Sequence, residues 1–212
     1  MPRVKVKRAS TTIDMTAMCD VSFLLLTFFI LTATARQPEP LQVDTPASAT
    51  QVKVPDDDLG LITVGDGGKV FFGVVNRNAR GRMLELMSEK YSIPFSPEEK
   101  QAFVGMETFG VPIGNLKQLL AMGPNDRVKP GLQPGIPIDT AANATDALSN
   151  ELFHWIYSAR VATKELKDAE MRVSIKGDAD EKYPDIKKVM DVLQSQKVNK
   201  FSLITSLRSE DF

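Results

Sequence analysis

From residue 15 to residue 35 the chain is an almost unbroken run of apolar and small residues, MTAMCDVSFLLLTFFILTATA. At helical rise this run spans about 31 Å, close to the thickness of a bilayer core, and it predicts one membrane-spanning helix. The pattern then turns polar. Residues 36–59 carry Pro38, Pro40, Pro46 and Pro55 and the acidic DDD at 56–58, which predicts a mostly extended tether. Alternation returns in GLITVGDGGKVFFGVV, residues 60–75, a hairpin pattern that turns at GDGG. Residues 76–143 are rich in proline, with short helices predicted at 80–90, 97–104 and 113–122. Phe103, Phe109, Leu119 and Leu120 make this stretch too apolar for a bare linker. A helix is predicted over 145–166, starting near Thr145 or Asp146 and burying Leu148, Leu152, Trp155, Ile156 and Ala159. A strand at 171–175, a helix at 185–196 with Ile186, Val189, Met190 and Leu193 on one face, and a strand at 200–205 complete the chain. The expected fold class is α/β: a single N-terminal transmembrane helix, then a two-layer α/β domain over 60–212 with a long insertion at 76–143. That core, from hairpin to last strand, is expected to be complete without the insertion, whose apolar residues need cover and are expected to pack on the core or across a dimer.

Charge orients the helix. Arg3, Lys5, Lys7 and Arg8 precede it and Arg36 alone follows closely, which places residues 1–14 in the cytoplasm and the rest across the membrane. A second reading stays open, because ATA before Arg36 has the small-x-small form of a signal-peptide cleavage site. Against it stand the length of the preceding region and its acids, Asp14 and Asp20. The net charge of −1 gives no field that would attract nucleic acid. Cys19 and His154 are the single cysteine and histidine, so no intrachain disulfide and no Cys/His zinc site can form. His154 reads as a half-buried helix residue. No P-loop or G-x-S-x-G motif is present, and neither a catalytic nor a metal site is expected. Asp178 and Asp180 read as a solvated turn.

The residue that does not fit its surroundings is Asp20. A carboxylate at mid-membrane costs about 3 kcal/mol, less near an interface. It can serve as a helix-start acid that complements the macrodipole. It can also carry a proton, since protonation removes the charge that the surroundings oppose. Helical spacing puts Thr16, Phe23, Leu24, Thr27 and Leu31 on its face, with Thr27 and Thr16 as the polar companions.

TIDMTAMCDVSFLLLTFFILTAT resembles the single membrane helix of the ExbD/TolR family. The family pattern I-[ND]-x-T-P-x-x-D matches Ile13, Asp14, Thr16 and Asp20, with Ala17 where proline is usual. LQVDTP at 41–46 is similar to the family's V-x-L-P segment, carried by Leu41, Val43, Asp44 and Pro46, with Thr45 replacing leucine. MRVSIKGDADEKYPDIKKVMDVLQSQKVNKFSLIT matches the family's strand, loop, helix and strand order. The resemblance implies that Asp20 translocates protons, with protons the coupling ion and no other cofactor. It implies a homodimer inside an ExbB/TolQ-like multi-span ring in a bacterial inner membrane, with a periplasmic domain. The ring and dimer would drive a TonB-like protein that energises outer-membrane transport, or a TolA-like protein of the Tol envelope system. A secreted or tethered α/β binding module is the reading from another class.

Overall fold

The structure, a computed structural model, describes residues 15–33, 39–41, 43–48, 58–129, 131–138, 150–204 and 206–207. It divides into two units, Met1–Gln37 and Pro38–Phe212. The first unit is the helix α1, Met15–Thr32, none of whose residues is buried. Its hydroxyls fold back onto the backbone: Ser22 donates to the Met18 carbonyl, Thr27 to Leu24 and Thr32 to Phe28, at 2.8–2.9 Å. This hides their polarity, as an apolar environment requires. Ala33 already lies outside the helix, and residues 34 and 35 of the expected span lie outside the described residues.

The second unit follows the order β1 (Ala47–Ser48), β2 (Leu59–Gly65), β3 (Lys69–Val74), α2 (Arg77–Tyr91), α3 (Pro97–Val104), β4 (Thr108–Phe109), α4 (Ile113–Ala121), α5 (Pro124–Arg127), α6 (Glu151–Lys167), β5 (Arg172–Gly177), α7 (Tyr183–Ser195), β6 (Phe201–Ile204) and β7 (Ser206–Leu207). Five strands form one sheet in the order β4-β3-β2-β5-β6. β3 runs antiparallel to β2, and β5 and β6 run parallel to it. Asp66, Gly67 and Gly68 all take positive φ to close the β2–β3 turn, where glycine carries no steric penalty and aspartate little. The register then sets Ile62 opposite both Phe72 and Ile175, so one sheet face is apolar across three strands. α2, α6 and α7 supply Met83, Leu84, Trp155, Ile156, Val189 and Leu193 to the same core. The fold is therefore mixed α/β, an apolar N-terminal helix followed by a five-stranded sheet covered by helices.

Residues 77–138 are woven into that core. α2 lies along α6 and β4 extends the sheet beyond β3. Phe103 and Phe109 close on Trp155 at ring separations of 5.9 and 4.7 Å. As expected, they pack on the core, and they supply part of the cover of Trp155 and Phe72. The four-residue helix α5 has an architectural part as well: its Arg127 donates to the carbonyls of Ala102, Leu119, Leu120 and Met122, tying α3 to the end of α4. The start of α6 also differs from expectation. Asn150 is the cap, its Oδ1 accepting from Phe153 N–H, and Thr145, Asp146 and Leu148 lie outside the described residues.

His154 is fully buried rather than half-buried, at 2 % exposure. It sits between the rings of Tyr91 and Phe153, 6.0 and 5.4 Å away. Burial, with some help from Lys90, pushes its pKa down from 6.5 to about 4. The imidazole is thus neutral when folded and takes a proton only on unfolding. Stability should be unaffected above about pH 6.5 and should fall by about 1–2 kcal/mol as pH drops to about 5. Urea unfolding of the chain and of His154→Leu at both pH values checks this: the variant should lose most of the acid sensitivity.

Candidate functional site

Two features stand out by chemistry: the carboxylate of α1, and the tether where it meets the sheet domain. Asp20 is exposed on α1, five residues after the first helical residue. No lysine or arginine occurs between residues 15 and 33, so the helix itself offers this carboxylate no counter-ion. Thr27 falls on the same face two turns later. Its hydroxyl is engaged by the Leu24 carbonyl at 2.9 Å. It therefore acts as a hydroxyl tucked into the helix, able to turn outward, rather than as a standing partner of Asp20. Thr16 lies one turn before Asp20 on that face.

The tether is held on the sheet face opposite the helices. Gly65 alternates with Val64, whose side chain faces the core, and so points to the other side. A Cβ at Gly65 would come within 2.7 Å of Val43 and 3.4 Å of Leu41. Lys176, opposite Thr63 in the register and thus on this same face, binds Glu39 at 2.6 Å. The Asp44 carbonyl accepts from Ala179 N–H at 2.8 Å, in the loop that follows β5. Asp178 N–H in turn donates to the Val64 carbonyl, which joins that loop to the end of β2. Pro46 is exposed, and ladder pairing starts directly after it, Ala47 opposite Ser206 and Ser48 opposite Leu207. The tether thus sits at the carboxyl ends of parallel strands, where open α/β sheets place their ligands.

The geometry brings Leu41, Val43 and Asp44 together on one platform, made of Gly65, Lys176 and Ala179. It leaves Pro46 as the stop before β1. Leu41, Val43 and Asp44 lie on a sheet face, where the Asp44 carbonyl and the Leu41 and Val43 side chains make contact. Sequence reasoning missed the platform because only the strand register places Gly65 and Lys176 on one face. The loop after β5 holds an Asx turn, Asp178 Oδ1 accepting from Asp180 N–H at 3.5 Å. Among the described residues no three His, Cys, Asp or Glu side chains are grouped to hold a metal.

Gly65→Val should expel Val43 from its seat while leaving β2 intact, since valine suits a strand. Hydrogen exchange at the Ala179 amide should then quicken by about tenfold or more, with the β2–β5 amides unchanged. Unchanged protection at Ala179 would show that the Val43 contact does not hold the tether.

Compared with known protein families, residues 6–208 match the one described as biopolymer transport protein ExbD/TolR. No curated protein and no solved structure matches the chain. The match takes in α1, the tether and every strand of the sheet domain. Proteins of this family serve transport, not enzymatic turnover, within membrane-associated complexes, and α1 fits a membrane-anchored member. From the helix at residue 15 to the last strand, the chain belongs to the ExbD/TolR family.

Proposed function

We propose that this chain is the proton-driven motor subunit of a bacterial inner-membrane complex that energises outer-membrane transport through a TonB-like protein. The observation that carries the reading is the lone carboxylate, Asp20, on an apolar helix with no cation of its own, in a member of a transport family. Protons are the coupling ion. An ExbB/TolQ-like ring around a homodimer of α1 would lead protons to Asp20 from the periplasmic side. Each charge moved down the membrane potential releases about 2.3 kcal/mol per 100 mV. Neutralising and recharging Asp20 changes how well α1 tolerates its surroundings, and that change biases stepping of the helices within the ring.

In this reading the sheet domain is periplasmic and transmits the work, and the tether on its Gly65 platform regulates when it does so. The excess of Arg3, Lys5, Lys7 and Arg8 over Arg36 supports the orientation. Compartment-sensitive reporters fused after Thr50 and after Phe212 should both report periplasm. Cells deprived of the chain test the function. Loss of proton-dependent uptake through outer-membrane transporters, with envelope integrity kept, is expected. Loss of envelope integrity with uptake kept overturns the TonB assignment in favour of a TolA-like client.

A further inference from the structure

The chain segments that enter β2, β5 and β6 enclose a cleft of about 1120 Å³. They bring Asp58 before β2, Glu170 and Arg172 at the entry to β5, and Lys197 and Lys200 between α7 and β6, and Arg160 of α6 reaches the same cleft. Val198 and Phe201, both half-buried, add an apolar wall beside these charges. The cleft lies at the end of the sheet opposite to Gly65 and the tether. A volume of this order suits an organic ligand rather than a bare ion.

The charges in the cleft do not cancel. Asp58 already pairs with Lys167 at 2.9 Å. Arg160 donates to the Gln196 carbonyl at 3.2 Å and Lys197 lies just past α7, so the carbonyl end of that helix accounts for both. Arg172 and Lys200 serve no helix end. They directly precede Val173 and Phe201, which pair in the ladder, so they stand side by side on neighbouring stretches of chain about 4.8 Å apart. Like charges so placed repel. Both are exposed, and neither is ion-paired among the described residues. Glu170, also exposed, offsets one charge at most. A pair of adjacent cations is thus left over beside an apolar wall.

We propose that the cleft binds a phosphate ester, with its phosphoryl group held between Arg172 and Lys200 and its organic part against Val198 and Phe201. A phosphate monoester carries a charge of about −1.5 to −2 at pH 7, which matches two adjacent cations where a single carboxylate does not. Its oxygens accept from the planar fork of Arg172, and Lys200 adds a compact charge. Arg160 and Lys197 extend the positive field along the far wall. A soluble ester and a lipid headgroup present the same phosphoryl chemistry, and the test separates them. The inference does not rest on the proton-carrying role of Asp20 and can fail independently of it.

The test uses the full chain held in phosphatidylcholine nanodiscs, which keep α1 in lipid. Calorimetric titration compares glucose 6-phosphate with gluconate, a sugar of the same size with one carboxylate, and co-sedimentation reads capture on vesicles that contain phosphatidic acid. Glucose 6-phosphate should bind about tenfold or more tighter than gluconate, which assigns a soluble ester. Capture on the vesicles without binding of glucose 6-phosphate supports the same site with a lipid headgroup as its source. Arg172→Gln with Lys200→Gln should weaken whichever phosphate probe binds by about tenfold or more; both side chains are exposed, and circular dichroism checks that the fold is kept. Lys188→Gln, a cation paired with Asp185 and outside the cleft, should leave binding unchanged. Gluconate bound as tightly as glucose 6-phosphate, no binding of either phosphate probe, or full binding by the double variant overturns the proposal.

Discussion

Asp20→Asn should leave the chain folded, membrane-inserted and assembled, and should stop proton-driven transport. Asparagine nearly matches aspartate in size and removes the ionisable proton, so packing around α1 is kept while charge cycling is lost. Insertion should if anything improve, since the carboxylate costs about 3 kcal/mol at mid-membrane. Asp20→Glu keeps the titratable group one methylene further out and should retain part of the activity. Thr27→Val should have a smaller effect, because the Thr27 hydroxyl is satisfied by Leu24 and only its capacity to turn outward is lost. The measurements are membrane content of the variant and proton-dependent uptake in cells that hold no other copy. Full uptake by Asp20→Asn would remove Asp20 from the mechanism.

The largest effect on stability is expected at Trp155. Its ring is fully buried, stacked on Phe103 and edge-on to Phe109, so it joins α6 to α3 and β4 at one point. Trp155→Ala leaves a hole that three separate elements would have to close together. The expected cost is about 3–5 kcal/mol. Thermal unfolding should show the midpoint lowered by roughly 10 °C or more. The same packing predicts that replacing residues 78–142 with a Gly/Ser linker leaves no cooperative unfolding transition at all. A folded deletion product would mean that the sheet domain can cover Trp155 and Phe72 by other means.

The elements of the fold were legible wherever a local pattern decides them. Ser96-Pro97 with Glu99 forms a capping box, and the helix predicted at 97–104 is found there. GDGG supplies the positive φ angles that a tight hairpin needs, and the hairpin is found there. Gly73 and Gly110 carried information that no local pattern could release. A Cβ at Gly73 would meet the Glu107 carbonyl at 2.1 Å, and one at Gly110 would meet the Phe71 ring at 2.4 Å. Both glycines exist to let the chain around β4 close onto β3, a contact across more than thirty residues. That closure is how residues 77–138 pack onto the core. Asp20 was legible because it breaks the apolar pattern around it. The tether platform was not, because Gly65, Lys176 and Ala179 come to the same end of the sheet only after β2 and β5 are paired.

The β1–β7 pair is parallel, Ala47 beside Ser206 and Ser48 beside Leu207. The chain therefore enters both strands from the same end. A mechanical load reaching β1 along the tether pulls from that shared end, while β6 holds β7 there. Such a load peels the bonds one after another instead of shearing them together. With only two residues on each strand, the fastening yields under weak tension, and the Val43 and Asp44 contacts upstream are the first to feel it. A pull along the tether is therefore expected to open the β1–β7 pair before the five-stranded sheet, and release of the pull to let it close again.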